Sequence, residues 1–297
     1  MNTMMGTNLI YSVSWGLLAL SVLAWLVAAA ALLALVWCLL VRGRGGDPRW
    51  EKLQKFRYAH RGYHDKPAIP ENSLPAFRRA ADLGFGAELD VHLTKDGRLA
   101  VVHDSALRRV CGVELNLEDL TAAELSALRL EGTAERIPFL EEVLPIFEGV
   151  APLVVEVKPA GGNCDQLTKK TVACLDQFHT DYCVESFDPR CVLWLRKNRP
   201  DILRGQLSQN FVADKKPGSF FQRFLLTNLF FNVSTRPDFA AYRFADRFCR
   251  SFRLCSRLWG VQKVYWTVRS ASDMALAEAD GGLVIFEKFD PREERHP

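Results

Sequence analysis

The chain opens on an unbroken apolar stretch and then changes rhythm. Residues 1–41 carry no charged side chain, and from Gly16 to Val41 nearly every residue is Leu, Ala, Val or Trp. At about 1.5 Å per residue, such a helix reaches across the roughly 30 Å of a hydrocarbon core. Tyr11, Trp15 and Trp37 fall near its ends, where aromatic side chains favour the membrane interface. A cleaved signal peptide needs a basic leader, a shorter apolar core and a small-residue cleavage site. The leader is absent and the run is too long, so it reads as a retained transmembrane helix.

Beyond this segment, short β-rich runs alternate with longer stretches of helical spacing. Strands are expected at residues 56–62, 86–94, 99–104, 153–158, 184–187, 202–207, 263–268 and 283–289. Helices are expected at 73–83, 122–130, 139–147, 165–178, 190–198 and 272–279. Ser73 is a candidate N-cap and Gly84 a C-terminal stop. Strand–helix alternation implies an α/β fold with parallel strands and right-handed crossovers. Eight strands in about 240 residues point to a closed (β/α)8 TIM barrel, with an open doubly wound sheet as the alternative. The expected organisation is an anchor over 1–41, a basic linker over 42–55 and a barrel domain over 56–297.

Composition changes this picture little. At 297 residues and 48% hydrophobic, the chain has material for one large domain after the anchor. A net charge of +3 is too small to point to a nucleic-acid partner. The eight cysteines include no CxxC pair, which argues against structural zinc and for reduced, mostly buried thiols. Arg42, Arg44, Arg49, Lys52, Lys55 and Arg57 follow the apolar helix, against only Asp47 and Glu51. That asymmetry places the barrel on the cytoplasmic side of a cell membrane.

Four strings carry ionisable residues inside or at the end of apolar runs: Tyr58-Ala-His-Arg-Gly62, Glu88-Leu-Asp90, Val101-Val-His-Asp104 and Val155-Glu-Val-Lys158. Buried charge is costly unless it is paired or bound to a metal, so the four suggest one shared polar site. Residues two apart on a strand share a face. Glu88 and Asp90 therefore point one way together, as do Glu156 and Lys158. Three inward carboxylates, Glu88, Asp90 and Glu156, suit a hard divalent cation such as Mg²⁺ or Ca²⁺. Arg61 and Lys158 suit a phosphate, the first as a planar fork and the second as a point charge. His60 and His103 have neutral-range pKa values and suit the two proton transfers of phosphodiester cleavage. Each residue alone has a structural explanation, as a strand-end cap, an ion pair or a satisfied core histidine. All seven together favour a catalytic site.

With Pro70-Glu-Asn-Ser73, Thr94-Lys-Asp-Gly97 and Trp266-Thr-Val268, these strings resemble the glycerophosphodiester phosphodiesterase family in content, order and spacing. The resemblance is strong over about residues 56–187 and weaker after that. It implies a TIM barrel that hydrolyses glycerophosphodiesters to glycerol 3-phosphate and an alcohol. It also implies that His60 and His103 are the catalytic pair and that Glu88, Asp90 and Glu156 are metal ligands. Arg61 and Lys158 match phosphate-contacting positions, Trp266 a substrate position, and Glu71 an acid that supports Arg61. The last strand departs from the family's common Thr-Asp ending and reads Ile285-Phe-Glu-Lys288. A lysophospholipase D acting on the same barrel and a non-catalytic membrane lipid sensor are the alternative functions.

Residues 209–260 read as a Phe-rich insertion. They hold ten of the nineteen phenylalanines, with nine Lys or Arg against three Asp. Phe244, Phe248, Phe252 and Cys255 recur at helical spacing between arginines. Packing over one end of the barrel and docking on an anionic membrane both fit this pattern.

Overall fold

The computed structural model describes residues 3–292. Residues 1–2 and 293–297, at the ends of the expected anchor and barrel domain, lie outside the described residues. Two compact units are present, Met1–Leu40 and Val41–Pro297. The first is a single helix, Thr3–Leu40. Its stretch Leu17–Leu40, 24 residues long and unburied, spans about 36 Å at helical rise, enough to cross a bilayer.

The second unit is a closed eight-stranded parallel barrel with helices around it. The strands of this unit are β1 (Tyr58–Ala59), β2 (Gly86–Leu93), β3 (Leu99–Val101), β4 (Leu153–Val157), β5 (Tyr182–Ser186), β6 (Arg204–Ser208), β7 (Phe239–Arg243), β8 (Gln262–Val268) and β9 (Gly282–Phe286). Pairing runs β1-β2-β4-β5-β6-β7-β8-β9 and closes back on β1, with β3 outside the ring on β2. Closure is set by β1, which pairs Tyr58 with both Gly86 and Ile285.

Two strand expectations are corrected. The strand expected at 99–104 is β3, which runs antiparallel to β2 as the second arm of a hairpin. The barrel's missing parallel strand is β7, inside the stretch read as an insertion. Periodicity identifies a strand but not its direction. The four-residue turn Thr94–Gly97, closed by the Thr94 amide on the Arg98 carbonyl at 2.9 Å, is too short for a crossover. Residues 209–260 thus contain one barrel strand, β7, with the helix Phe220–Thr227 before it and the helix Arg250–Trp259 after it. Phe244 does not continue that second helix. Asp246 accepts from the Asn210 amide at 2.9 Å and from Arg243 Nε at 2.6 Å, which ends the local turn before residue 250. Phe239, Phe244 and Phe252 are buried, whereas Phe220, Phe221 and Phe248 are exposed.

The helix Leu74–Asp82 shows how local signals set element ends. The Ser73 hydroxyl accepts from the Ala76 amide and Pro75 occupies the first turn, both favourable at an N-terminus. The barrel interior below the site is filled by Tyr58, Val154, Leu207, Phe239, Val264 and Ile285. The stretch 42–55, expected as a linker, joins this core. Its short helix Trp50–Leu53 buries Trp50 edge-on to Phe239, 5.1 Å between ring centres. Among the described residues no disulfide joins any of the eight cysteines.

Candidate active site

The site is assembled at the C-terminal ends of the barrel strands. Strand register does much of the work: Asp90 pairs with Glu156 across β2 and β4, and Glu156 with Glu185 across β4 and β5. Three carboxylates thus lie in one row, with Glu88 two residues before Asp90 on the same face. Glu88, Asp90 and Glu156 each offer an oxygen, and these atoms lie within 4.8 Å of one another.

Lys158, just past β4, places Nζ 2.7 Å from Glu156 Oε1 and 3.2 Å from Asp90 Oδ1. Arg61, just past β1, donates its backbone amide to Glu88 Oε2 at 3.0 Å and Nη1 to Glu71 Oε1 at 2.8 Å. Its Nε lies 3.6 Å from Asp90 Oδ2. Arg61 takes a φ of +56° and Gly62 one of +77°. A side chain at Gly62 would also meet the Ala76 methyl at 2.9 Å, so glycine alone fits the turn that delivers Arg61. The Pro70–Ser73 loop closes the arrangement. Asn72 donates its side-chain amide to Asp90 Oδ2 and its backbone amide to the Arg61 carbonyl, both at 2.8 Å.

Each histidine is held by a carboxylate. His60 Nδ1 lies 2.7 Å from Glu287 Oε2, and His103 Nδ1 lies 2.5 Å from Asp104 Oδ1. The acceptors are carboxylates, so Nδ1 carries the proton and Nε2 is left to exchange one. His60 Nε2 stands 3.9 Å from Glu88 Oε2. The hairpin that carries His103 is fixed by His92, which bridges Glu118 Oε1 and the His103 carbonyl. Arg109 reaches from Asp104 to Glu71, so the two halves of the site share one ion-pair network.

Burial dominates the electrostatics. It pushes the His103 imidazole down to about 4, opposed by Asp90 and helped by Lys158 and Arg61. His60 is also lowered by burial, against the pull of Glu287. Burial raises Glu156 to about 7, with Asp90 adding to it and Lys158 opposing. Glu88 is raised well above the usual carboxylate range by burial, then by Asp90 and Glu156. Burial works against Asp90 too, yet Lys158, His103 and Arg61 hold it well below that range.

Four buried carboxylates, Glu88, Asp90, Glu156 and Glu185, face two cations, Arg61 and Lys158. Glu185 Oε2 is buried without a hydrogen bond among the described residues, and the ion-pair contact of Asp90 Oδ1 is Lys158 Nζ. An oxygen-only donor set with surplus negative charge fits a hard divalent cation. A cavity of about 140 Å³ lies over it, and His60, Arg61, Glu88, His103, Glu156, Phe187, Trp266 and Arg269 are among its lining residues. Trp266 donates Nε1 to the Ala241 carbonyl at 3.2 Å and packs edge-on to Phe187. Among the sequence-expected residues, Asp90, Lys158 and Glu71 sit behind the lining rather than on it.

Glu287, Glu185, Asn72 and Arg109 are at the site in the structure without having been singled out from the sequence. Glu185 carried the same signal as Glu156, a carboxylate within an apolar strand. Glu287 had no local signal, because its role depends on β9 closing against β1.

The glycerophosphoryl diester phosphodiesterase family profile matches residues 60–281. A glycerophosphodiester phosphodiesterase of Caldanaerobacter subterraneus is 33% identical over 161 residues, covering 51% of this chain and 65% of that protein. A lysophospholipase D of Rattus norvegicus is 34% identical over 125 residues, covering 38% of each. This chain thus spans less than two thirds of the length of these curated relatives. A solved Oleispira antarctica phosphodiesterase in complex with the product sn-glycerol-3-phosphate superposes with a TM-score of 0.65 at 22% identity. The alignment covers 80% of this chain and 94% of that one; at this identity the likeness concerns the fold.

Proposed function

Since the chain belongs to the glycerophosphoryl diester phosphodiesterase family, we propose that its barrel hydrolyses a glycerophosphodiester to glycerol 3-phosphate and an alcohol. The observation that carries this reading is the convergence of two carboxylate-held histidines, Arg61, Glu88 and Glu156 on one cavity, with Asp90 and Lys158 directly behind its lining. Glu88, Asp90 and Glu156 would hold Mg²⁺ or Ca²⁺, which when bound supplies Lewis-acid polarisation of the phosphate oxygens.

The chain's own residues do the rest. Arg61 and Lys158 orient the phosphate and offset charge that builds in the transition state. If water attacks, its oxygen bonds to phosphorus as the bond to the leaving alcohol breaks; if the substrate's own hydroxyl attacks, the same displacement leaves a cyclic phosphate, which water then opens to glycerol 3-phosphate. One imidazole Nε2 takes the nucleophile's proton, and the other histidine delivers a proton to the leaving oxygen. The carboxylates on Nδ1 stabilise whichever imidazolium forms. Trp266 and Phe187 give the substrate an apolar wall, and Glu71 keeps Arg61 in place.

A lysophospholipase D activity on the same site is the second reading. It is favoured by exposed Phe220, Phe221 and Phe248 together with the apolar N-terminal helix. The basic flank after that helix supports a single-pass membrane protein with a cytoplasmic barrel. The purified chain would be offered glycerophosphocholine, glycerophosphoethanolamine and lysophosphatidylcholine with Mg²⁺, Ca²⁺ or EDTA. Metal-dependent release of the alcohol is expected. His60→Ala and His103→Ala should each lower turnover by about 100- to 10,000-fold with the far-UV circular dichroism unchanged. No turnover on any substrate with either metal overturns the reading.

A further inference from the structure

A second charged cavity lies at the opposite end of the barrel from the catalytic groups. Its volume is about 560 Å³, and it is lined by Arg42, Arg44, Arg196, Arg204, Arg236 and Trp259. Arg204 opens β6, Arg236 lies three residues before β7, and Trp259 ends the helix before β8. These are N-terminal strand ends, whereas the catalytic residues follow C-terminal ones.

The five arginines are under-compensated. Asp238 takes Arg44 Nε and the Arg204 amide, and it lies 3.7 Å from Arg204 Nη1. Asp47 is 3.9 Å from Arg44 but is committed to Arg49 at 2.7 Å. The other hydrogen bonds of these guanidiniums among the described residues go to backbone carbonyls, including those of Thr235 and Arg236 for Arg204 and Ser234 for Arg196. Arg44 Nη2 and Arg204 Nη1 are buried with no hydrogen-bond partner among the described residues, and the Arg204 side chain is only 3% exposed. Buried charged donors without acceptors are costly. Burial pushes Arg204 and Arg236 below the usual arginine range, with Arg196 adding repulsion at both. Arg236 also holds a φ of +43°, a conformation glycine or asparagine would adopt more cheaply.

Convergent guanidinium forks match the oxygens of a phosphate. The source of that phosphate follows from chain connectivity. Arg42 is two residues beyond Leu40, the end of the apolar helix, so their backbones are at most about 7 Å apart. Arg42 stacks on the Trp259 ring at 4.8 Å, and tryptophan favours the headgroup region. Basic residues directly past a membrane helix attract anionic lipids. We propose that this arginine cavity binds the phosphate of an anionic phospholipid headgroup, separately from the catalytic cavity.

The test uses the full chain in neutral detergent micelles. Its thermal midpoint is followed against added phosphatidylserine, phosphatidylcholine or inorganic phosphate. Phosphatidylcholine carries the same diester, so occupancy of the catalytic cavity registers equally with both lipids. Phosphatidylserine should raise the midpoint saturably and phosphatidylcholine should not. The double variant Arg196→Gln/Arg236→Gln should need about thirtyfold more phosphatidylserine, from about 1 kcal/mol per arginine. Arg196→Lys/Arg236→Lys keeps the charge and should recover most of the response, which separates lost charge from lost folding. Equal responses in the wild type and the Gln pair, or equal responses to the two lipids, overturn the proposal. An arginine-dependent shift of the same size with inorganic phosphate alone overturns the lipid assignment.

Discussion

Glu287 and Glu71 set the behaviour of the residues they touch without reaching into the cavity themselves. Burial disfavours charge on Glu287, yet His60 and Arg269 hold its carboxyl well below the usual range. It therefore stays anionic when His60 takes a proton. Glu287→Gln keeps a polar partner but removes that charge, and it should lower kcat about 10- to 100-fold with little change in KM. Steady-state kinetics across pH is the check, because a purely structural loss would not shift the pH profile. Glu71 is likewise held below the usual range, against burial, by Arg109, Arg61 and Lys66. A lowered folded-state pKa stabilises the fold above the unfolded value and loses that stability as pH falls through the folded one. Glu71→Gln should therefore cost about 3 kcal/mol at pH 7. The gap to the wild type should close as pH drops below about 4.3. Denaturant titrations at several pH values would measure it.

At the scale of elements, close approach between neighbouring strands governs which residues a strand tolerates. Gly205 on β6 pairs with Phe239 on β7, and a Cβ at Gly205 would collide with that ring. Gly205→Ala should destabilise the barrel by about 1 to 3 kcal/mol through overpacking, read as a lower urea midpoint with an unchanged slope. This contact also explains why β7 was hard to read. Its sequence Phe239-Ala-Ala-Tyr-Arg243 lacks the β-branched run that marked β4, and its strand character comes from pairing with β6 and β8. By contrast β2 and β4 were legible because Val and Leu surround their carboxylates. The hairpin of β2 and β3 was legible as two strands but not as an antiparallel pair.

For the molecule as a whole, the carboxylate cluster couples stability to cation binding. Mg²⁺ or Ca²⁺ should raise the thermal midpoint and EDTA should lower it. Glu156→Gln removes one like charge, so it should raise the midpoint in EDTA while shrinking the rise on adding metal. Calorimetry with and without metal would test both signs; an unchanged metal response in the variant would remove Glu156 from the ligand set.

The sequence alone determined whatever depends on near neighbours. The apolar helix follows from composition, same-face carboxylates from a period of two, and the Ser73 cap from residues three apart. Tertiary structure decided everything that depends on closure. His60 meets Glu287 across 227 positions, Glu185 joins the carboxylate row through register, and the arginine cavity gathers residues from 42 to 259. Local periodicity fixes which face a side chain takes, but partners on strands far apart in sequence are chosen only when the barrel closes.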